Sequence, residues 1–315
     1  MNTKFFHTST FIKRQQNAID FLKLPSRAWT SNCLEIGNGF TSHFKSIFSS
    51  STPIIDEELL SLFDSCISAE ENASICVISL EPEIFSALSS IGFTKALGPD
   101  GFTALFYKKY WSIIKDVVLA SVWDFFENNH LLKEQNHSFI ALNASSVHHF
   151  WPISLCNIIY KIISKILANR FKSLLHHFIF PYQSAFVPSR SIQDNSILAH
   201  ELFYSLKSKR GRGGLMAIKI DMEKAFDRKE WSFLVAILSK HGFHPTYINW
   251  IKICITSPSF SILINGSPFG LFCPNRGLRQ GDPFSPFLFI LGSEIISCLL
   301  PRQESLDLLK GIKIA

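Results

Sequence analysis

The chain has 315 residues, 47% of them hydrophobic, and 31 Lys and Arg against 25 Asp and Glu give a net charge of +6. This length and apolar content supply a substantial core, which excludes a disordered chain and predicts one large domain or two modest ones. The positive charge is compatible with a phosphate-bearing partner. It does not identify one, because many enzymes of other classes are as basic.

The cysteines and the apolar segments bear on the cellular compartment. Seven cysteines are scattered along the chain and never spaced as Cys-x-x-Cys, which favours reduced, mostly buried thiols. The amino end does not have the charged-then-apolar layout of a signal peptide. The most apolar stretch, 284–300, is interrupted by Glu294. These features predict an intracellular protein that is not secreted and does not span a membrane.

The first quarter of the chain reads as an extension. Residues 2–23 are polar and basic with a thin apolar stripe, which predicts a helix that Pro25 ends. Serine-rich segments follow, so we expect a domain boundary near residue 75.

The next segments alternate helices and turns. Pro82 is placed to open a helix, and 98–101, Gly-Pro-Asp-Gly, predicts a tight turn. A longer amphipathic helix is predicted from Ser154 to Phe178. Its cations lie largely on the face opposite the apolar residues. Phosphate contact and a solvated face are both open for them, and composition favours the solvated face.

The segment around Asp221 is the most informative. Leu215 to Ile220 reads as a short apolar strand with Asp221 at its carboxyl end, and a helix follows from Trp231 to a stop at Gly242. An aspartate in this place is often only a turn or helix-cap residue. The segment by itself therefore leaves a structural and a catalytic role open.

The last part predicts a strand, a loop and a helix. Phe260 to Asn265 is strand-like, and a turn follows at 266–268. The glycines of the loop 276–283 permit either close approach of the backbone to a ligand or a sharp turn. The apolar run 284–300 reads as a mainly buried helix begun by Pro283 or Pro286.

Six segments in this order and spacing resemble the reverse transcriptase of plant non-LTR (LINE-type) retrotransposons. They are 2–7, 95–102, 151–165, 183–195, 220–231 and 277–286. Each is weak alone, but their shared order over nearly the whole chain is specific. The resemblance implies an α+β fold: the fingers and partial palm of a right-hand polymerase, with helices packed on an antiparallel sheet. It divides the chain into an endonuclease-to-polymerase linker, 1–75, and a partial reverse transcriptase domain, 76–315.

The resemblance also implies site residues for adding deoxynucleoside triphosphates to a DNA primer on an RNA template. Asp221 is implied as the catalytic carboxylate and a ligand of two Mg²⁺ ions. Phe226 is implied as the aromatic gate that excludes a ribose 2′-hydroxyl, and Gln280 and Gly281 as residues that lie against the nucleotide. Four cations are candidate nucleic-acid contacts, with a solvated role equally open: Lys224, Arg228, Arg276 and Arg279.

Two further acids near these positions are interpreted as structural. Asp227 is interpreted as stabilising the start of its helix. Asp282 is interpreted as organising its loop.

The chain also departs from the family pattern. It ends at Ala315, before the family's Ala-Asp-Asp strand, so the catalytic hairpin and the thumb are expected to be missing. The usual Ile-Pro-Lys is replaced at 143–145, and Trp151 stands where the family has Arg. Both changes remove cations that neutralise a triphosphate. Ser189 stands in place of Gly.

These departures leave two functional hypotheses. The first is a fragment of an RNA-directed DNA polymerase that is inactive as an isolated chain. The alternative is a decayed or host-retained remnant that binds nucleic acid without catalysis.

Overall fold

The computed structural model describes residues 18–23, 28–93, 95–142, 152–208 and 216–311, together with Thr8 and Ile12. Most of the predicted amino-terminal helix, 2–23, lies outside these residues. The described helices are α1 (Cys33–Ile47), α2 (Glu57–Leu60), α3 (Ala69–Ile75), α4 (Glu81–Ser90), α5 (Ala104–Lys109), α6 (Trp111–Asn128), α7 (Lys133–Asn136), α8 (Ile158–Phe178), α9 (Ile192–Ser208), α10 (Trp231–Lys240), α11 (Pro245–Thr256) and α12 (Ser285–Ser305). The described strands are β1 (Leu22–Lys23), β2 (Trp29–Thr30), β3 (His137–Ala141), β4 (Ile153–Cys156), β5 (Ser259–Ile264) and β6 (Ser267–Phe272).

Four strands form a mixed sheet in the order β4-β3-β5-β6. The pairs β3–β4 and β5–β6 are antiparallel, whereas β3 and β5 run parallel. Asn265 and Gly266 join β5 to β6, and both have positive φ, 52° and 87°, as a two-residue hairpin turn requires. The fold is α+β, as predicted, but the parallel pair corrects the expectation of a purely antiparallel sheet.

Two hydrophobic cores hold these elements together. The larger surrounds α8, whose residues Ile162, Ile166 and Leu167 are fully buried against α4, α6, α11 and α12. The smaller lies between α1 and the β5–β6 hairpin, where Phe44 packs with Phe260. Segments on both sides of residue 75 therefore contribute to shared cores, and the boundary near residue 75 stays a prediction.

Local sequence signals set several element ends. Pro82 lies in the first turn of α4, where its missing N–H costs nothing. Gly101 has φ +73° and closes the turn after Gly98, and Gly242 has φ +85° directly after α10. Pro286 lies in the first turn of α12. These predictions from the sequence are confirmed.

Three predicted elements differ from the structure. Residues 154–156 belong to β4, because they pair with β3, and the helix begins only at Ile158. Leu22–Lys23 is a strand and not the end of a helix. In 216–220, the described part of the strand predicted at 215–220, no strand forms. Its apolar side chains remain exposed: Met216 76%, Ile218 70% and Ile220 66%.

Helix α12 is the one described helix that is long and apolar enough to cross a membrane by length and composition. A single helix of this kind is weak evidence for a membrane span, because buried core helices of other proteins have the same length and composition. Leu288, Ile290 and Leu291 of α12 are fully buried in the larger core, and Glu294 interrupts its apolar sequence.

Candidate functional site

A cavity of about 840 Å³ lies where four distant parts of the chain meet. It is lined by Pro152 at the start of β4, Gln183 before α9, the segment 220–227, Gln280 before α12, and residues on α12 itself. Apart from Phe289 and Ser293 of α12, the residues that line it belong to four of the six motifs on which the family resemblance rests. Tertiary structure thus brings these motifs to one concave surface.

Asp221 and Gln280 lie on this same cavity although they are far apart in sequence. Asp221 is exposed and follows an irregular segment, so it does not stand at the end of a strand as predicted. The backbone of Gln280 is fixed to β4, because the Ser154 N–H donates to the Gln280 carbonyl oxygen at 2.8 Å. The edge of the sheet therefore fixes Gln280, whereas Asp221 lies in an irregular segment before the turn 223–228.

Gly281 is adjacent to Gln280 but does not line the cavity. Its φ is +105°, and a Cβ built on it would lie 2.9 Å from the Ser154 carbonyl oxygen. A glycine is needed here because the loop passes close to the β4 backbone. The contact with a nucleotide implied by the family resemblance stays a prediction.

Phe226 lies on the cavity wall. Its ring stacks on Phe289 of α12 with centroids 4.7 Å apart and an angle of 13° between the planes. The Leu278 N–H donates to the Phe226 carbonyl oxygen at 2.9 Å. The stacking holds the ring and the hydrogen bond holds the Phe226 backbone, so the residue presents an aromatic surface to the cavity.

Asp227 is a cavity residue that the sequence analysis assigned to structure. It is 4% exposed, and burial raises the pKa of its carboxyl to about 7, against the opposing charges of Lys224 and Arg228. Glu230, not Asp227, precedes the first residue of α10. The interpretation that Asp227 stabilises the helix start is therefore wrong. A buried acid with a raised pKa in a cleft is instead typical of a functional position.

Asp282 organises its loop, as interpreted from the sequence. Its carboxylate accepts hydrogen bonds from Tyr160 Oη at 3.2 Å, from Ser285 Oγ at 2.8 Å and from Ser164 Oγ. These bonds join α8 to the start of α12. The Asp282 carboxylate thus binds groups of the protein itself and does not face a ligand.

Arg279 is not available to nucleic acid, which corrects the prediction of a phosphate contact. It is 5% exposed, and its guanidinium donates to Asn136 Oδ1 at 2.6 Å and to the Cys254 carbonyl oxygen at 2.9 Å. The same group lies 3.7 Å from the centroid of Tyr160. Arg279 therefore fastens the loop to α7 and α11.

The other three candidate cations differ in their contacts and in their exposure. Arg276 is largely engaged, since it donates to the Ile47 carbonyl oxygen at 2.9 Å and to Glu230 at 3.2 Å. Arg228 is exposed, with Glu223 at 3.5 Å as an exposed ionic partner. Lys224 lines the cavity with a φ of +52°. Lys224 is thus a residue of the cavity wall, whereas Arg228 is exposed outside the cavity lining.

Two cations of α8 are structural, although a solvated face was favoured for them. Lys161 is 7% exposed and donates to the Ala96 carbonyl oxygen at 3.2 Å. Arg170 pairs with Glu83 at 2.7 Å and also donates to the Val77 carbonyl oxygen at 2.7 Å. Both side chains join α8 to the segments before it.

The described residues do not by themselves fit a pair of Mg²⁺ ions. Asp221, Glu223 and Asp227 line the cavity, but no group of three or more metal-ligating side chains converges within the described part of the chain. A hard cation needs several oxygen ligands at one point. We therefore derive no chemical step from a metal held by these residues.

Gln183 belongs to the motif 183–195, but no role at the site was predicted for it. The structure places it on the cavity together with Gln280. No local pattern marked it, because a glutamine in a loop is ordinary until the fold shows what it faces. The departures at Trp151 and at 143–145 lie outside the described residues.

Comparisons with known proteins agree with these motifs. A family model described as reverse transcriptase (RNA-dependent DNA polymerase) matches residues 143–309, more than half of the chain. The transposon TX1 uncharacterized 149 kDa protein of Xenopus laevis is 30% identical over 226 residues, which cover 70% of this chain and 17% of that protein. The retrovirus-related Pol polyprotein from the type-2 retrotransposable element R2DM of Drosophila melanogaster is 25% identical over 217 residues, 68% of this chain and 20% of that protein.

A shorter match is to an uncharacterized mitochondrial protein of Arabidopsis thaliana, 53% identical over 53 residues, 17% of this chain and 43% of that protein. The chain thus spans at most a fifth of the first two relatives and less than half of the third.

Proposed function

Because the chain belongs to the reverse transcriptase (RNA-dependent DNA polymerase) family, we propose that it is the polymerase segment of a plant-type non-LTR retrotransposon. The substrate of its cavity would be a deoxynucleoside triphosphate, paired with an RNA template and added to a DNA primer. The observation that carries this proposal is the meeting of Asp221, Phe226 and Gln280 on one cavity.

The chemistry of the cavity wall supports a nucleotide. Phe226 offers a rigid aromatic face for a sugar or base, and Gln280 offers a carboxamide on a loop fixed by β4. Lys224, on the cavity wall, would meet phosphate. We propose that Asp221 supplies one carboxylate toward the two Mg²⁺ ions that the reaction uses. Further oxygen ligands would have to come from outside the described residues.

The test is a nucleotide titration of the 315-residue chain followed by NMR, with a deoxynucleoside triphosphate and Mg²⁺. We expect shifted resonances for Phe226 and Gln280, and weaker binding by Gln280→Leu. Gln303→Leu on α12 is the matched control, because it removes a carboxamide that does not line the cavity. Shifts confined to other surfaces, or equal binding by both variants, would contradict the assignment of the cavity.

Two observations favour the alternative of a remnant that binds nucleic acid without catalysis. The segment 216–220 leaves its apolar side chains exposed, and the described carboxylates form no metal group. Under this alternative, the chain binds a primer–template duplex but shows no nucleotide-dependent shifts in the cavity. Fluorescence anisotropy of a labelled duplex, measured beside the titration, separates the two functions.

A further inference from the structure

The loop that carries Gln183 is held in place by side chains on both of its flanks. Arg190 donates to the carbonyl oxygens of Phe180 and Gln183, the latter at 2.8 Å. Glu294 of α12 accepts from the Phe180 N–H at 3.1 Å. Asn195 of α9 donates to the Tyr182 carbonyl oxygen at 3.1 Å. These hydrogen bonds therefore fix the position of the loop beside the cavity.

The carboxamide of Gln183 is oriented by its own loop. Its Oε1 accepts a hydrogen bond from the Ala185 N–H at 3.1 Å. This assigns the other terminal atom as Nε2, which carries two donor hydrogens. No described residue accepts a hydrogen bond from Nε2. Gln183 therefore brings an uncommitted donor to the cavity wall.

The charges of the cavity lining bear on which part of a ligand Gln183 meets. Among the described residues, the cavity lining carries three acidic side chains, Asp221, Glu223 and Asp227, and one ammonium, that of Lys224. Phosphate groups are recognised by Arg and Lys clusters, and carboxylates repel them. A neutral carboxamide is suited instead to the polar edge of a base or to a sugar oxygen.

We propose that Gln183 is a further specificity-determining residue, whose Nε2 donates to the base or the sugar of the nucleotide in the cavity. This inference rests on the proposed function, since it takes a nucleotide as the ligand. Arg190 acts through Gln183 as a positioning residue, because it holds the carbonyl oxygens of the loop without lining the cavity itself.

The experiment compares a deoxynucleoside with its triphosphate as NMR titration probes for the wild-type chain and for Gln183→Leu. We expect the substitution to weaken both probes about three- to tenfold, which is the effect of one hydrogen bond. Gln193→Leu on α9, an exposed glutamine outside the cavity, is the matched control and should bind as wild type. Gln183→Glu keeps the acceptor for Ala185 but lacks the donor, so it should weaken the deoxynucleoside similarly while keeping the loop folded.

The outcomes separate this inference from the proposed function. An effect on the triphosphate alone would show that Gln183 contacts phosphate and would overturn the inference. Equal affinities of wild type and Gln183→Leu, with Gln280→Leu still impaired, would also overturn it while leaving the proposed function intact. If neither probe perturbs the cavity of the wild-type chain, both proposals fail.

Discussion

Replacing Asp227 by Asn should stabilise the protein, and more strongly as the pH rises. Burial raises the pKa of this carboxyl from 3.8 to about 7, so the folded state binds its proton more tightly than the unfolded chain does. The stability that this proton provides is complete below about pH 4 and is lost as the pH rises toward 7. Over the whole range the shift corresponds to about 4 kcal/mol.

The assay is urea unfolding of wild type and Asp227→Asn at pH 5 and pH 8.5. We expect the variant to exceed wild type by about 1.5 kcal/mol at pH 5 and by about 4 kcal/mol at pH 8.5. Asp221→Asn, which removes an exposed carboxylate from the same cavity, is the matched control and should change stability by less than about 0.5 kcal/mol. A difference between wild type and Asp227→Asn that does not depend on pH would refute the reasoning.

Three further outcomes are expected. Ser189→Gly should stabilise the protein by about 0.5 kcal/mol in urea unfolding, because Ser189 has a φ of +64° that glycine adopts without strain; a loss of stability would contradict this. Arg279→Met should cost about 3 kcal/mol by thermal unfolding, because it leaves buried acceptors such as Asn136 Oδ1 unpaired; a change below about 0.5 kcal/mol would show that the buried contacts are not stabilising. The 315-residue polypeptide alone should not extend a DNA primer on an RNA template with Mg²⁺, because its described residues form no metal group; robust synthesis would show that Asp221 finds its co-ligands within this chain.

Local chemistry made much of the fold predictable. Pro82 and Pro286 begin helices, and Gly101 and Gly242 take the left-handed backbone that ends a turn or a helix. These effects depend only on residues a few positions apart, so they can be predicted from the local sequence. The strand expected at 215–220 failed for the opposite reason. A strand needs partners, and in the described structure no other strand pairs with residues 216–220.

The sequence by itself determined the family, through the order of its motifs, and the local starts and stops of most elements. Only the tertiary structure decided which polar side chains are free. Arg279 and Arg228 are both arginines for which the sequence left the same two roles open. Arg279 is buried and donates hydrogen bonds to Asn136 and Cys254, whereas Arg228 is exposed. Likewise Gln183 gained a place in the site only because the fold brings its loop to the same cavity as Gln280. Burial and contact depend on segments that are distant in the chain, and no local pattern encodes which of them will meet.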